Sequence, residues 1–310
     1  MKKFLINARY YLAPLLIFAA LFGVIAGGPW VWTGVFLLGI GIIVDTTTPA
    51  LTMGAGFDEN GDTNGNPTLL NLTMYAMLAV FIMIQIAICW RIFQYVNGIE
   101  YTGATASFLG MDYYTGITGA QLLAAVVSSG IFAGIGIIYG HELAHTKGFS
   151  FVIARWMMAL SGSSHFCYAH VYNHHLELGC ENDPATAPRG RSLYAHLPKS
   201  YFGQSKFLYT METQRLKRLG VPFLSWQNRW IRGYAMSLPT IALFWYAGAW
   251  TGIACMAMIW LISNFELEAL NYLEHYGLIR ETGSPIDYRH SWDNSTLFTS
   301  WFFIEIGRQA

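Results

Sequence analysis

Long apolar stretches separated by short polar ones dominate this 310-residue chain. A helix needs roughly 20 mostly apolar residues to cross about 30 Å of hydrocarbon. Six stretches meet or approach that length, and they are 10–27, 30–46, 69–92, 115–139, 234–250 and 251–273. Gly27, Gly28 and Pro29 divide the first two stretches, and we expect residues 247–251 to divide the last two. The pattern predicts an all-α, polytopic membrane protein with six transmembrane helices.

Composition supports this class, because 54% of the residues are hydrophobic and only 12% are charged, unlike an ordinary soluble domain. The net charge is zero, so nucleic acid is not an expected partner, since phosphate binding needs concentrated positive charge. The four cysteines show no CxxC spacing, which argues against a disulfide framework or an iron–sulfur site. No signal-peptide cleavage site follows the first apolar stretch, so we expect it to be retained as a span.

Charge patterning organises the chain into four segments. We expect transmembrane helices 1–4 in 1–140, a helical cytosolic metal-binding insertion in 141–232, transmembrane helices 5–6 in 233–275 and a cytosolic tail in 276–310. Of the 18 Lys and Arg residues, 17 precede the first span, lie in the insertion or follow the last span, and only Arg91 is left over. Because cytosolic loops carry the excess of Lys and Arg, this bias places the N-terminus, the insertion and the tail in the cytosol.

Histidines mark the candidate chemistry, and none of the nine lies in the first 140 residues. The first cluster is HELAHTKG, in which His141 and His145 are four residues apart and share one face of a helix. This HExxH spacing also occurs in zinc proteases. A lone histidine at a membrane interface is more often a satisfied polar residue than a ligand, and it is the clustering that favours metal binding.

Two further segments complete the histidine set. In AHVYNHH, an α-helix would place His170 and His174 on one face and turn His175 about 100° away, so that one segment could reach two metals. In NYLEHYGL, His275 lies where the sixth apolar stretch ends. Six histidines are too many for one tetrahedral zinc. Imidazole also suits iron, copper and nickel, so ligand type leaves the metal open.

Acidic residues accompany each histidine segment. Glu142, Asp183 and Glu274 are predicted to hydrogen-bond the second nitrogen of ligand histidines, which would set their tautomer and orientation. For Asp183, a solvated turn is the competing interpretation.

Four segments in this order, HELAHTKG, HVYNHHLELGCENDPATAPRG, NYLEHYGLIRE and HSWDN, resemble the integral-membrane, non-haem di-iron alkane monooxygenases. That family is related to xylene monooxygenase and, more distantly, to membrane fatty-acid desaturases. The resemblance extends from the fourth span to the end of the chain. It implies that two iron ions are bound by His141, His145, His170, His174, His175 and His275. It leaves His165, His196 and His290 outside the ligand positions, so they are expected to be structural.

The resemblance also implies the activity and its setting. The expected reaction is O2-dependent hydroxylation of medium- or long-chain n-alkanes, dissolved in membrane lipid, to primary alcohols. The expected electron donor is rubredoxin, reduced by an NADH-dependent rubredoxin reductase, in the bacterial inner membrane with the active site on the cytosolic side. Lys217 and Arg218 are candidates for contacting an acidic carrier, although the cytosolic charge bias explains them more simply.

One departure concerns the end of the chain. The family has a further histidine box ending in DHH after the NYxEHYGL box, whereas this sequence ends in IEIGRQA. Gln309 stands where many members have the first histidine of that box. We therefore expect the tail to be truncated before a last histidine box.

Other functions fit part of the pattern. An aryl-methyl (xylene-type) hydroxylase or a fatty-acyl desaturase would share the ligands and differ in the substrate tunnel. An intramembrane zinc protease would use Glu142 as base and needs a carboxylate ligand in an LDG-type segment, which the sequence lacks. A metal-binding transport protein would place ionisable groups near the middle of the membrane, and these histidines lie at the ends of apolar stretches.

Overall fold

The computed structural model describes residues 8–50, 66–108 and 110–303. Lys2, Lys3, Arg308 and Gln309, and most of the polar loop that follows the second apolar stretch, lie outside the described residues. The α-helices are α1 (Leu12–Ala26), α2 (Thr33–Thr47), α3 (Pro67–Val96), α4 (Gly119–Ala144), α5 (Phe149–Leu160), α6 (Phe166–Ala169), α7 (His175–Glu177), α8 (Leu193–Arg218), α9 (Arg229–Ala235), α10 (Leu238–His275) and α11 (Leu297–Phe302). Short 3-10 helices cover Arg9–Tyr11, Gly28–Trp32 and Tyr288–His290.

Apolar length confirms the membrane class. Five helical stretches are long and apolar enough to cross a membrane, namely Arg9–Ala26, Gly28–Thr47, Thr68–Val96, Gly119–Ala144 and Arg229–His275. The break between the first two lies at Gly27, as the sequence predicts. The third and fourth stretches end four and five residues beyond the predicted spans, so α4 carries the helix through His141.

The last stretch covers both of the final predicted spans in 47 residues, so the count of six spans stays a prediction. Helical geometry is interrupted inside α10 at Gly248 and Ala249, where Ala249 has φ 46° and ψ −125°. A Cβ atom at Gly252 would collide with the carbonyl oxygen of Phe244, eight residues earlier, whereas eight residues of straight helix rise about 12 Å. The chain therefore turns back sharply within the predicted division at 247–251.

A two-stranded antiparallel hairpin is the one element that the all-α prediction did not include. Strand β1 (Thr102–Phe108) pairs with β2 (Met111–Thr115), with Thr102 opposite Thr115. The strands precede the predicted fourth span and overlap it only at Thr115, and the helix begins at Gly119. Most of β1 is exposed and no other strand is present among the described residues, so the hairpin leaves the helical class unchanged.

The described chain divides into two compact units. The first contains α1 to α3, the hairpin, α4 up to Gly136, residues 240–262 and residues 294–303. Its most buried cation is Arg91, which is 1% exposed and donates to the carbonyl oxygens of Val24 (2.8 Å) and Ile25 (2.6 Å). These are orphan carbonyls at the end of α1, so the basic residue that stands outside the cytosolic charge bias caps a helix.

The second unit contains residues 137–239 and 263–293, and therefore all nine histidines. Ser192 is the N-cap residue directly before α8, and its side chain accepts a hydrogen bond from the backbone N–H of Ala195. Its buried positions recur every four residues at 196, 200, 204, 208, 212 and 216, which gives one inward-facing stripe. The three histidine segments belong to the end of α4, the helix that runs from α6 to α7, and the end of α10.

Candidate metal centre

Helix α4 delivers the first two histidines. The helix is almost wholly apolar until Gly140 and then continues through HELA, so His141 is buried while His145 lies just past the helix end and is exposed. Their ring centroids are 4.9 Å apart. The four-residue spacing thus places both imidazoles on one side of the helix end, as the sequence predicts.

The second histidine segment departs from α-helical geometry. Residues His170–His174 form a π-helical turn, and the backbone N–H of His175 reaches the carbonyl oxygen of His170, five residues earlier. The wider turn brings the Nε2 atoms of His170 and His175 to 3.0 Å from each other. The expectation that His175 would point well away, which assumed a regular α-helix, is therefore wrong. Such π turns are frequently found at functional sites.

Six histidine rings form one continuous cluster. Ring centroids of His170 lie 4.2 Å from His141, 5.1 Å from His145, 4.5 Å from His175 and 5.1 Å from His174. One ring nitrogen each from His141, His145 and His170 lies within 4.8 Å of the other two. These are the six residues that the family resemblance names, and the fold brings them together from three segments.

The cluster extends in one direction to the third histidine segment. The ring of His275 lies 4.9 Å from that of His174, which joins it to the other five. The carboxylate of Glu274 is buried, with Oε2 3.9 Å from His275 Nε2. Glu274 Oε1 has no hydrogen-bond partner among the described residues. Glu274 therefore faces Nε2 of His275. The sequence-based prediction had it hydrogen-bond the ring nitrogen that does not bind the metal.

Asp183 holds the ring of His174. Its Oδ2 atom lies 2.8 Å from His174 Nδ1, and it also accepts from the hydroxyl of Thr186 at 2.6 Å. The backbone N–H of Ala185 donates to Asp183 Oδ1 at 3.1 Å. A carboxylate at Nδ1 favours the tautomer with its proton there, which leaves the Nε2 lone pair free to bind a metal.

A backbone carbonyl plays the equivalent part for His275. Its Nδ1 donates to the carbonyl oxygen of His290 at 3.1 Å, within the HSWDN segment. Trp292 ties this segment to the end of α10, because its backbone N–H donates to Glu274 O (2.8 Å) and its indole N–H to Tyr276 O (3.0 Å). HSWDN is one of the segments that carry the family resemblance. The sequence did not reveal that a main-chain oxygen of this segment contacts His275.

Burial keeps several of these imidazoles neutral. It lowers the pKa of His170 well below the usual value, and the neighbouring histidines, first His141, lower it further. Burial likewise lowers the pKa of His175 to about 4. Burial raises the pKa of Asp183, but the charge and hydrogen bond of His174 outweigh this and bring the pKa to about 2. Burial lowers the pKa of His174, but the charge and hydrogen bond of Asp183 outweigh this and raise it, so His170 and His175 are the imidazoles in the neutral form that a bound cation requires.

The geometry fits a metal ion. Two nitrogens bound at right angles to one ion, each about 2.0–2.1 Å from it, lie about 3 Å apart, which matches the two facing Nε2 atoms of His170 and His175. His141 Nδ1 is buried and has no hydrogen-bond partner among the described residues, although buried polar atoms normally have one. Among the described residues, His141, His145 and His170 are the group whose donor atoms lie close enough together to hold a metal ion.

Not every candidate residue joins the cluster. Glu142 is exposed, and no hydrogen bond links its carboxylate to a histidine ring in the part of the chain that the structure describes. His165 is buried against Tyr201 and Tyr234, whose ring centroids lie 4.7 Å and 6.1 Å from its own. His196 packs on Tyr272 at 5.6 Å. The assigned roles of these residues stay predictions.

A cavity of about 620 Å³ adjoins the loop that carries Asp183. Its lining includes Asp183, Thr186, Leu278 and the basic residues Arg191 and Lys199. Lys217 lies 18 residues beyond Lys199 on α8, which is about 27 Å along a helix axis. Lys217 and Arg218 therefore do not border the cavity next to His174.

The chain is similar in sequence to several known proteins. The family model described as fatty acid desaturase matches residues 119–310. "Alkane 1-monooxygenase" of Acinetobacter baylyi is 28% identical over 70% of this chain and 57% of the relative. "Alkane 1-monooxygenase 1" of Pseudomonas aeruginosa is 31% identical over 60% of the chain and 50% of the relative. "Xylene/toluene monooxygenase hydroxylase component XylM" of Pseudomonas putida is 26% identical over 92% of the chain and 71% of the relative.

Fold and site together define an integral-membrane helical protein with a histidine cluster of the kind that can hold a metal ion. The chain belongs to the fatty acid desaturase family, since the family model covers more than half of it, and its relatives support a place among the alkane monooxygenases. The chain spans about half the length of most of the curated relatives that it matches.

Proposed function

We propose that this protein is a membrane monooxygenase that hydroxylates the terminal carbon of medium- or long-chain n-alkanes to primary alcohols. The reaction consumes O2, two electrons and two protons, places one oxygen atom in the alcohol and releases the other as water. The observation that carries the proposal is the single cluster formed by His141, His145, His170, His174, His175 and His275 at the ends of apolar helices. The names of the relatives supply the reaction class.

The histidines would hold two iron ions. The rings of His141, His145, His170 and His175 form the first group, and His174 and His275 with the carboxylate of Glu274 form the second. When bound, the irons supply the activation of O2 and the cleavage of the C–H bond, and the protein supplies binding and orientation. Asp183 and the carbonyl of His290 orient the second group through Nδ1 of His174 and His275.

Burial protects this chemistry from water. His141, His170, His174 and His275 are each no more than 5% exposed, so these rings have little contact with bulk water. A membrane-dissolved alkane suits this arrangement because it offers only apolar surface for recognition. Substrate orientation then depends on which chain end enters the site, and this favours oxidation at a terminal carbon.

Electrons would come from a small acidic carrier protein, which the family resemblance implies is rubredoxin reduced by an NADH-dependent rubredoxin reductase. We place its contact at the cavity bordered by Arg191 and Lys199, rather than at Lys217 and Arg218. Asp183 lines that cavity and is hydrogen-bonded to His174. The charge bias along the chain supports a cytosolic position for this face, in the inner membrane of a bacterium, with the single basic residue Arg91 on the opposite side.

Product analysis tests the proposal. The full-length protein, supplied with iron, reductant and n-octane under ¹⁸O2, is expected to form 1-octanol that carries one ¹⁸O atom. The His174→Ala variant, made and assayed in parallel, is expected to form none. An alkene product would support a desaturase instead, and oxidation of p-xylene but not octane would support an aryl-methyl hydroxylase. Unlabelled alcohol would exclude a monooxygenase.

A further inference from the structure

Arg280 joins the second and third histidine segments. It follows His275 by five residues, and its backbone N–H donates to the carbonyl oxygen of Gly179 at 2.9 Å. A hydrogen bond from Gly277 N to Ala187 O, at 2.8 Å, holds the same two stretches of chain together. The chain after α10 therefore runs along the loop that follows the second histidine segment.

The side chain of Arg280 adds donors to the same loop. Its Nε donates to Leu178 O at 2.6 Å and its Nη2 to Leu176 O at 2.5 Å, while Nη1 reaches Ser284 O. With the backbone contact to Gly179, one residue satisfies three carbonyls within four consecutive residues. Leu176 is in α7, directly after His174 and His175, so two of these contacts end the helix that carries them.

The close approach of Arg280 leaves no room for a side chain at Gly179. This glycine has φ 78°, and a Cβ atom there would lie 2.9 Å from Arg280 Cβ. A side chain at this position would both strain the backbone and push the two stretches apart. The closest approach of the segments is thus fixed by shape as well as by hydrogen bonds.

Arg280 also supports the carboxylate that holds His174. The backbone N–H of Gly179 donates to the hydroxyl of Thr186 at 3.0 Å, and that hydroxyl donates to Asp183 at 2.6 Å. A continuous path therefore runs from Arg280 through Gly179 and Thr186 to Asp183 and the ring of His174. Moving Leu178 and Gly179 would move the base of the loop on which Asp183 is carried.

Electrostatics suit this placement. Arg280 is 6% exposed, so its guanidinium is almost fully removed from water. Among the described residues it makes no salt bridge within 4.0 Å, and its partners are carbonyl oxygens. The helix that ends at Glu177 directs the negative end of its dipole toward this cation. The guanidinium of Arg280 offers five hydrogen-bond donors in a planar fork, which a lysine side chain does not.

We propose that Arg280 is a positioning residue that fixes His174 and His275 at the separation needed to bind one metal ion. The proposal rests on the metal site of the proposed function but not on the reaction. Its effect should be strongest in the group formed by His174, His275 and Glu274. In the group formed by His141, His145, His170 and His175, only His175 adjoins one of these contacts, through Leu176, so this group should be affected less.

Cobalt(II) titration of the purified, metal-free, full-length protein, followed by visible absorption, tests this. The His174→Ala variant identifies the binding phase that belongs to the second group. In Arg280→Gln, the affinity of that phase is expected to fall about 10- to 100-fold, the usual effect of altering a residue that supports a ligand, with a smaller change in the other phase. Arg280→Lys is expected to recover part of the loss, and it carries the test if the Gln variant does not fold. Arg289→Gln, an exposed arginine paired with Asp287, is the control and should match the wild type.

A double-mutant cycle separates positioning from general destabilisation. If Arg280 acts through Asp183, adding Arg280→Gln to Asp183→Asn should cost little beyond the Asp183→Asn loss alone. Fully multiplicative losses, an equal loss in both phases, or normal Co(II) binding by folded Arg280→Gln would each overturn the proposal. A wild-type protein with both Co(II) phases but no hydroxylation would refute the proposed function and leave the role of Arg280 intact.

Discussion

The carboxylate of Asp183 lies 2.8 Å from Nδ1 of His174, and both side chains are almost fully buried. The two residues are nine positions apart, and hydrogen bonds from Thr186 and Ala185, just after Asp183 in the chain, hold the same carboxylate. The pair therefore fixes the ring of His174. The ring of His275, which reaches the cluster from another helix, lies 4.9 Å from it.

Replacing Asp183 tests whether this orientation matters for metal binding. Asp183→Asn keeps the shape but removes the charge, and the affinity of the second histidine group for a divalent metal should fall about 10- to 100-fold. Competition with a chromophoric chelator measures the change. Glu181→Gln, an exposed carboxylate two residues away, is the matched control. Equal losses in both variants would mean that the loop charge, not the hydrogen bond, is responsible.

Two histidines five residues apart give a second comparison. His170→Ala removes the ring that contacts four other histidine rings, and iron content per folded chain should fall by at least half. His165→Ala, in the same segment and equally buried, should retain the wild-type iron content because its ring contacts tyrosines instead. Elemental analysis after size-exclusion chromatography measures both. Loss of iron in His165→Ala alone would overturn the assignment.

The basic border of the cavity gives a prediction about electron transfer. Lys199→Glu should raise the KM for an acidic carrier roughly tenfold at low salt, because charge complementarity mainly governs encounter. The difference should shrink as ionic strength rises. Lys217→Glu makes the same charge change far along α8 and should leave the KM near the wild-type value. If Lys217→Glu has the larger effect, the carrier binds elsewhere.

Acid stability should depend on His165. Burial lowers the pKa of His165 to about 3 in the folded protein, whereas an unfolded histidine has a pKa of about 6.5. Its contribution is therefore fully present above pH 6.5 and is lost progressively as the pH falls toward 3. From this residue alone, the loss at pH 5 amounts to about 2 kcal/mol.

The His165→Phe variant isolates that contribution. In metal-free protein, its free energy of unfolding should fall less between pH 7.5 and pH 5 than that of the wild type, even if the variant is less stable at pH 7.5. Denaturant unfolding in one detergent at the two pH values measures the difference. An unchanged pH dependence would mean that His165 can be protonated in the folded state.

Much of this site follows from apolar length and residue spacing. Hydrophobic stretches ending in HELAH and NYLEHYGL predict that His141 and His275 lie at helix ends, and the structure has both there. Spacing within AHVYNHH could not reveal the π turn, because the same letters fit an α-helix and the choice depends on tertiary packing. The turn is nevertheless what brings His175 to His170.

Other features depend on contacts between distant parts of the chain. The hydrogen bond from His275 to the carbonyl of His290 uses a main-chain atom that every residue has, so no sequence signal marks it. The direction of the Glu274 carboxylate, toward Nε2 of its neighbour, depends on how α10 ends. The hairpin Thr102–Thr115 was missed because it lies almost wholly between the predicted third and fourth spans, where apolar length predicts no element. A last histidine box beyond the present sequence stays a prediction.

Metal stoichiometry of the full-length protein tests the central claim most directly. Purified with ⁵⁷Fe and studied by Mössbauer spectroscopy and elemental analysis, the wild type should contain about two irons per chain in nitrogen-rich environments, and His174→Ala should lose one or both. One tightly bound zinc per chain, unaffected by His174→Ala, would contradict the di-iron site and favour a hydrolytic or structural role for the histidine cluster.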